Sequence, residues 1–206
     1  MLIERKMRLG VLISGSGTNL QALLDASAAG ELDADVVVVI SNHQAALGLE
    51  RARGAGVPAV MIDPAVHDSA RAYNHAILET LQAHEVDVVV MAGYMRLLGS
   101  EVLQAYPDRV VNIHPALLPS FAGANGIRDA FDYGVKVTGV TVHFATEEFD
   151  AGPIIAQEAV RIEQYDTPET LEAKIHEVEH RIYPAALQLM AEGRLRVEGR
   201  RVRVLT

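Results

Sequence analysis

The chain contains no cysteine in its 206 residues. That excludes a disulfide scaffold and any thiolate metal site, and it suits a reducing compartment, so a cytoplasmic location is expected. Basic residues are in short supply, 18 Lys and Arg against 27 Asp and Glu, for a formal net charge of −9. Such a balance argues against general nucleic-acid affinity. It does not exclude small anionic ligands, because a loop of backbone amides binds phosphate even in an acidic protein. No apolar run approaches the ~20 residues that span a bilayer, so no membrane association is expected. Internal repeats, linkers and low-complexity segments are also missing. Met1 to Lys6 carries charge of both signs with no apolar run behind it, and reads as a short extension rather than a signal peptide.

What is present is globular. Half the residues are hydrophobic, and the length suits one well-filled domain, or at most two small halves sharing a core. Arg8 to Ile13, Asp35 to Ile40, Val57 to Ile62, Val86 to Ala92 and Val110 to His114 are short β-branched runs. Between the first four lie helical patterns at Leu20 to Ala28, Gln44 to Ala55 and Ser69 to His84. Strands apolar on both faces that alternate with helices mean a parallel sheet covered on two sides, hence an α/β, doubly wound fold. Further on, Arg128 to Tyr133 reads as a short helix, with strands at Lys136 to Ala145 and Ile154 to Val160. Pro168 to Met190 reads as a helix capped by Thr167 and kinked at Pro184, and Leu195 to Leu205 as a hairpin turning at Glu198-Gly199. These later strands are expected as antiparallel additions to the mainly parallel sheet.

Chemistry concentrates at Val110-Val111-Asn112-Ile113-His114-Pro115. In a strand, residues i and i+2 share a face, so Asn112 and His114 project together, and Pro115 keeps His114 extended. An amide donor and a proton-carrying imidazole thus stand side by side at a strand end, a way to aim both at one reacting atom. Capping of loop backbone is the plainer reading of such a pair. Ser14-Gly15-Ser16-Gly17-Thr18-Asn19 follows the first strand and opens a helix, leaving free N–H groups at a positive dipole end. Thr18 and Asn19 are candidates to cap that helix or to donate to an anion. The loop has neither dinucleotide-fingerprint spacing nor a P-loop lysine. It points to phosphate rather than NAD. In open α/β sheets ligands collect at the carboxyl ends of the strands, which puts this loop, Met95-Arg96-Leu97-Leu98 and His114 on one rim.

Taken in order, several segments closely resemble the folate-dependent phosphoribosylglycinamide formyltransferases. They are Ile13 to Gln21, Ala92 to Arg96, Asn112 to Pro119, His143-Phe144 with Asp150 to Ile154, and Glu179 to Pro184. The likeness runs from Met7 to about Val197. It implies a single formyltransferase domain over 1–206, with a phosphate-binding half at 7–113 and a folate-binding, catalytic half at 114–206. It further implies transfer of a formyl group from the co-substrate 10-formyltetrahydrofolate to the amine of glycinamide ribonucleotide (GAR), a step of purine synthesis, without a metal. Asn112 and His114 would stabilise the tetrahedral intermediate. Asp150, on meeting His114, would favour the imidazolium and orient it. Gly17, Thr18, Asn19 and Glu179 would bind GAR, although from the residues alone Glu179 reads as a solvated helix-face carboxylate. Met95, Arg96, Leu97, Leu98, Asn112, Thr146, Glu147 and Asp150 would line the folate site. The partners would be these small molecules, with the chain a monomer or homodimer.

Two departures stand out. Where many relatives carry Ser-Phe-Pro-Gly-x-His, this chain has Ser120-Phe121-Ala122-Gly123-Ala124-Asn125, which removes a stiffening proline and a proton-carrying group. Ala70 replaces a basic residue that some relatives place near the folate tail, with Arg71 one step along. His143 is expected to support the site, and His43, His67, His75, His84 and His176 to lie on the surface. The competing readings are a formyltetrahydrofolate hydrolase and a non-catalytic phosphate- or nucleotide-binding module. The second keeps the Gly-rich loop but leaves Asn112, His114 and Asp150 unexplained. A methionyl-tRNA formyltransferase would need more basic charge, and an NAD-dependent reductase would need an acidic residue ending the second strand, where Ser41-Asn42 stands.

Overall fold

The protein is described by a computed structural model covering residues 5–206, so the first four residues of the expected extension lie outside the description. Among the described residues, nine strands form one sheet in the order β3-β2-β1-β4-β5-β6-β7-β9-β8. β1 (Met7–Ile13), β2 (Ala34–Ser41), β3 (Ala59–Met61), β4 (Val88–Met91) and β5 (Val110–His114) are parallel. β6 (Val137–Phe144) joins β5 antiparallel, and β7 (Ile154–Arg161) joins β6 in the same way. The hairpin of β8 (Leu195–Glu198) and β9 (Arg201–Val204) turns at Gly199 in a left-handed conformation (φ 62°) and meets β7 at the pair Ile154 and Arg201.

Period-two alternation sorts the central strands onto two apolar layers. Leu9, Val11 and Ile13 of β1 and Val88 and Val90 of β4 pack with α1 (Thr18–Ala29) and α6 (Pro168–Ala191), through Leu20, Leu23, Leu171 and Ile175. Leu12 of β1 and Val89 and Met91 of β4 face the other way, onto Tyr73, Ile77 and Leu81 of α3 (Ala70–Ala83) and Val102 of α4 (Ser100–Ala105). Fully burying one such aliphatic side chain typically contributes ~1.5–3 kcal/mol, which is why these strands carry no polar face. β2 is followed by α2 (Leu47–Gly54), and α5 (Gly126–Tyr133) precedes β6.

Several boundaries differ from those read in the sequence. β3 keeps three residues rather than six, because as an edge strand it pairs only opposite Val39, Ile40 and Ser41 of β2. α2 starts at Leu47, not Gln44, and α4, six residues long, is too short to show a helical period and was not foreseen. Ser69 caps α3 by accepting from the Ala72 N–H, and Thr167 forms a reciprocal capping box with Thr170 on α6. Neither Thr18 nor Asn19 caps α1. That position belongs to Gly17, left-handed at φ 69°, with no side-chain cap. A Cβ there would also lie 2.6 Å from Gly48 Cα of α2, so the loop requires glycine twice over. Pro184, read as a kink, lies inside α6, which ends at Ala191 where the sequence reading ended it at Met190.

One buried hydroxyl ties the helical layer to the sheet. Tyr183 of α6 is fully buried, and its OH lies 3.0 Å from both the Met91 and Val111 carbonyls, donating between β4 and β5. Tyr183→Phe keeps the ring but removes that donor. A loss of about 1–2 kcal/mol in unfolding free energy is expected, read as a drop of about 2–8 °C in Tm by thermal denaturation.

Candidate active site

Three rim segments assemble around the end of β5. Ser14, just past β1, donates through Oγ to Asn42 Oδ1 at 2.7 Å and accepts from the Met95 N–H at 2.9 Å, joining the turns after β1, β2 and β4. The first turn of α1 then opens onto a cleft of about 570 Å³ lined by Gly17, Thr18, Asn19, His176 and Glu179, with Arg128 at its far wall. Because Gly17 supplies no side-chain cap, the first-turn N–H groups of α1 are available to a ligand at the positive end of the helix dipole. Asn19 donates instead across the cleft floor, Nδ2 to Glu179 Oε2 at 2.9 Å, while its Oδ1 is buried without a partner.

Glu179 is only 5% exposed, the opposite of a solvated helix-face carboxylate. Burial pushes its carboxyl above the ordinary value, opposed by the Asn19 hydrogen bond and the nearby His176, with Glu172 adding to the rise. His176 was expected on the surface. It lines the same cleft, stacked on His180 with ring centroids 6.0 Å apart. The signal was present in the sequence, since His176 sits three residues before Glu179 and therefore on the same helix face.

On the other side of β5 lies a narrow slot of about 30 Å³ lined by Arg96, Leu97, Leu98, Asn112, Thr146 and Asp150, among others including Phe149 and His143. Glu147 does not line it, and Met95 faces the larger cleft. The Arg96 guanidinium lies over the Tyr73 ring, 5.4 Å from its centroid. Tyr73 in turn shares a 2.6 Å hydroxyl–hydroxyl hydrogen bond with Tyr94, buried behind the segment.

Between cleft and slot stand Asn112, His114 and Asp150. His114 Nδ1 is 3.4 Å from Asp150 Oδ2, and Asn112 Nδ2 is 3.5 Å from Asp150 Oδ1, with both the His114 and Asp150 side chains almost fully buried. The Gly123 N–H donates to Asp150 Oδ2 at 2.9 Å. Burial alone would raise the Asp150 carboxyl. The Gly123 N–H and the field of His114 outweigh that and hold it below the usual carboxylate range. Asp150 itself adopts a left-handed backbone (φ 51°), a strained state for a residue with a Cβ. His143 pairs opposite Asn112 on β6. Its Nδ1 donates to the Phe144 carbonyl at 2.9 Å, so its Nε2 lone pair accepts from Asn112 Nδ2 at 3.1 Å and orients the amide. The 3.7 Å separation of that Nε2 from Asp150 Oδ1 is longer than a hydrogen bond.

A family model described as formyl transferase matches residues 7–187. The chain belongs to that family. It is 40% identical over 181 residues to the phosphoribosylglycinamide formyltransferase of Bacillus subtilis, covering 88% of this chain and 93% of that protein. It is 45% identical over 193 residues to the trifunctional purine biosynthetic protein adenosine-3 of Bos taurus, covering 94% of this chain but 19% of that protein. The chain thus spans about a fifth of the length of its trifunctional vertebrate relatives. Among solved structures, glycinamide ribonucleotide transformylase 1 from Symbiobacterium toebii superposes with a TM-score of 0.97 at 54% identity, covering 98% of this chain and 96% of that one. The family's α/β sheet, with its antiparallel C-terminal strands, is the one expected from the sequence.

The raised Glu179 carboxyl makes a stability prediction. A carboxyl whose folded pKa lies above its unfolded value contributes stability that is present at low pH and lost as pH rises through the folded pKa. Glu179→Gln removes that loss, and its amide N–H also suits the orphaned Asn19 Oδ1. Tm should rise by about 2–4 °C at pH 7–8, per kcal/mol relieved, with the gain vanishing near pH 4, as scanning calorimetry across pH would record.

Proposed function

We propose that this chain transfers the formyl group of 10-formyltetrahydrofolate to the primary amine of GAR. The observation that carries the reading is the position of Asn112, His114 and Asp150 between a cleft built on a helix N-terminus and a slot lined by Arg96, Leu97 and Leu98. The phosphate would lie on the first-turn amides of α1, at Gly17, Thr18 and Asn19, and the ribose hydroxyls would donate to Glu179. The pterin would part the slot between the Leu97-Leu98 segment and the Thr146–Asp150 loop.

With both substrates bound, the amine nitrogen attacks the formyl carbon and negative charge grows on the formyl oxygen. Asn112 Nδ2–H and His114 Nε2–H donate to that oxygen in a site where little water screens them, the preorganised stabilisation that dominates such reactions. The ionised Asp150 stabilises the imidazolium through Nδ1. Collapse of the tetrahedral intermediate breaks the bond from carbon to N10. The proton released by the amine passes to N10 through His114 or a water. The reaction needs no covalent enzyme intermediate and no metal, and its product is formylated GAR with tetrahydrofolate.

The test is formyl transfer by the purified protein, following the folate absorbance change with and without GAR. Amine-dependent turnover is expected. Asn112→Ala and His114→Ala should each lower kcat about a hundred- to a thousandfold, with KM for GAR little changed. Formate release that ignores GAR would instead identify a hydrolase. Ligand binding without turnover would identify a binding module.

A further inference from the structure

His114 has one Nε2–H to give, and in this structure it is already given. A backbone carbonyl only accepts, so the 2.8 Å contact between His114 Nε2 and the Phe121 oxygen is a hydrogen bond donated by the ring. With that carbonyl on Nε2 and the Asp150 carboxylate beside Nδ1, both ring nitrogens face acceptors, a set satisfied by an imidazolium. The ring is also walled in. His114 is 4% exposed and lines neither the larger cleft nor the narrow slot, although its neighbours Ile113, Pro115 and Asn112 do.

The wall is the segment 120–126. Phe121 is held at φ +53°, a left-handed conformation that is unfavourable for a non-glycine residue and needs surrounding contacts to hold it. Those contacts are the carbonyl on His114, the Gly123 N–H on Asp150 Oδ2, and the Phe121 ring edge-on to Tyr133. Gly126 closes the far side. A Cβ there would stand 3.1 Å from both His114 Nε2 and the Phe121 oxygen, so glycine allows the segment to press against the imidazole. The segment therefore engages the acid and the base of the trio together, through its own backbone.

We propose that the Phe121 carbonyl is a built-in stand-in for the formyl oxygen. The 120–126 segment occupies the oxyanion position through this carbonyl, and the incoming formyl oxygen must displace it from His114 Nε2. Displacement couples donor chemistry to loop position. A folate carrying a formyl group releases the segment, whereas the deformylated product, which has no oxygen to offer, lets it return. The released strain at Phe121 offsets part of the lost hydrogen bond, which keeps the exchange readily reversible. The proposal rests on the formyl-transfer reading, because that reading puts an acceptor oxygen at Nε2.

Hydrogen exchange with mass-spectrometric readout on the full chain tests it, comparing three states. These are the free protein, the protein with tetrahydrofolate, and the protein with a formyl-folate analogue carrying carbon in place of N10, which presents the oxygen but cannot transfer it. Both ligands should protect peptides covering 95–98 and 146–150. Only the formyl analogue should raise deuterium uptake across 120–126, by at least twofold at early times. Equal behaviour of 120–126 with the two ligands, despite protection at 95–98 and 146–150, overturns the stand-in and leaves the transfer reading intact. No protection with either ligand overturns both.

Discussion

A carboxylate ionised in a nearly dry pocket is the constraint on which the site depends. Burying a charge without partners is costly enough that a protein either neutralises it or surrounds it with donors. Asp150 is surrounded. The Gly123 N–H, the His114 ring and the Asn112 amide all converge on its two oxygens, and they come from two separate parts of the chain, the 120–126 segment and the end of β5. Satisfying that one group therefore fixes the end of β5, the 120–126 segment and the β6–β7 loop relative to one another. The left-handed backbones at Phe121 and Asp150 are the local cost of the convergence. Strain of this kind persists where surrounding contacts over-determine it, and both instances lie at the Asn112, His114 and Asp150 cluster, Asp150 within it and Phe121 against His114.

Around that centre the sheet supplies geometry at little further expense. Parallel strands end on one rim, so a helix N-terminus suited to phosphate and a narrow slot flanked by Leu97 and Leu98 fall on either side of β5 without special design. Tyr183 links the two strands that separate them from below. The change from parallel to antiparallel pairing at β6 is what brings His143 opposite Asn112, where its lone pair sets the amide's orientation. The acidity of the whole chain does not oppose an anionic substrate, because the first-turn amides of α1 act at contact distance whereas distant surface carboxylates are screened within about 10 Å.

How much was legible in the sequence follows from the range of each interaction. Strand identity, the doubly wound pattern and the shared face of Asn112 and His114 depend on residues within a few positions of one another, and periodicity alone determined them. Motif order along the chain was enough to indicate the family. Glu179 shows the opposite case. Burial raises its carboxyl and its partner is Asn19, 160 residues earlier, whose hydrogen bond opposes that rise; no local pattern on α6 separates the position from a solvated glutamate. α4, at six residues, carries too little period to be read. The tertiary structure alone decided that Asn19 binds Glu179 instead of capping α1, that Met95 faces the larger cleft, and that the Phe121 carbonyl rests on His114. Each is a contact between segments distant in sequence, and only packing against the sheet selects which of the available partners a polar group finds.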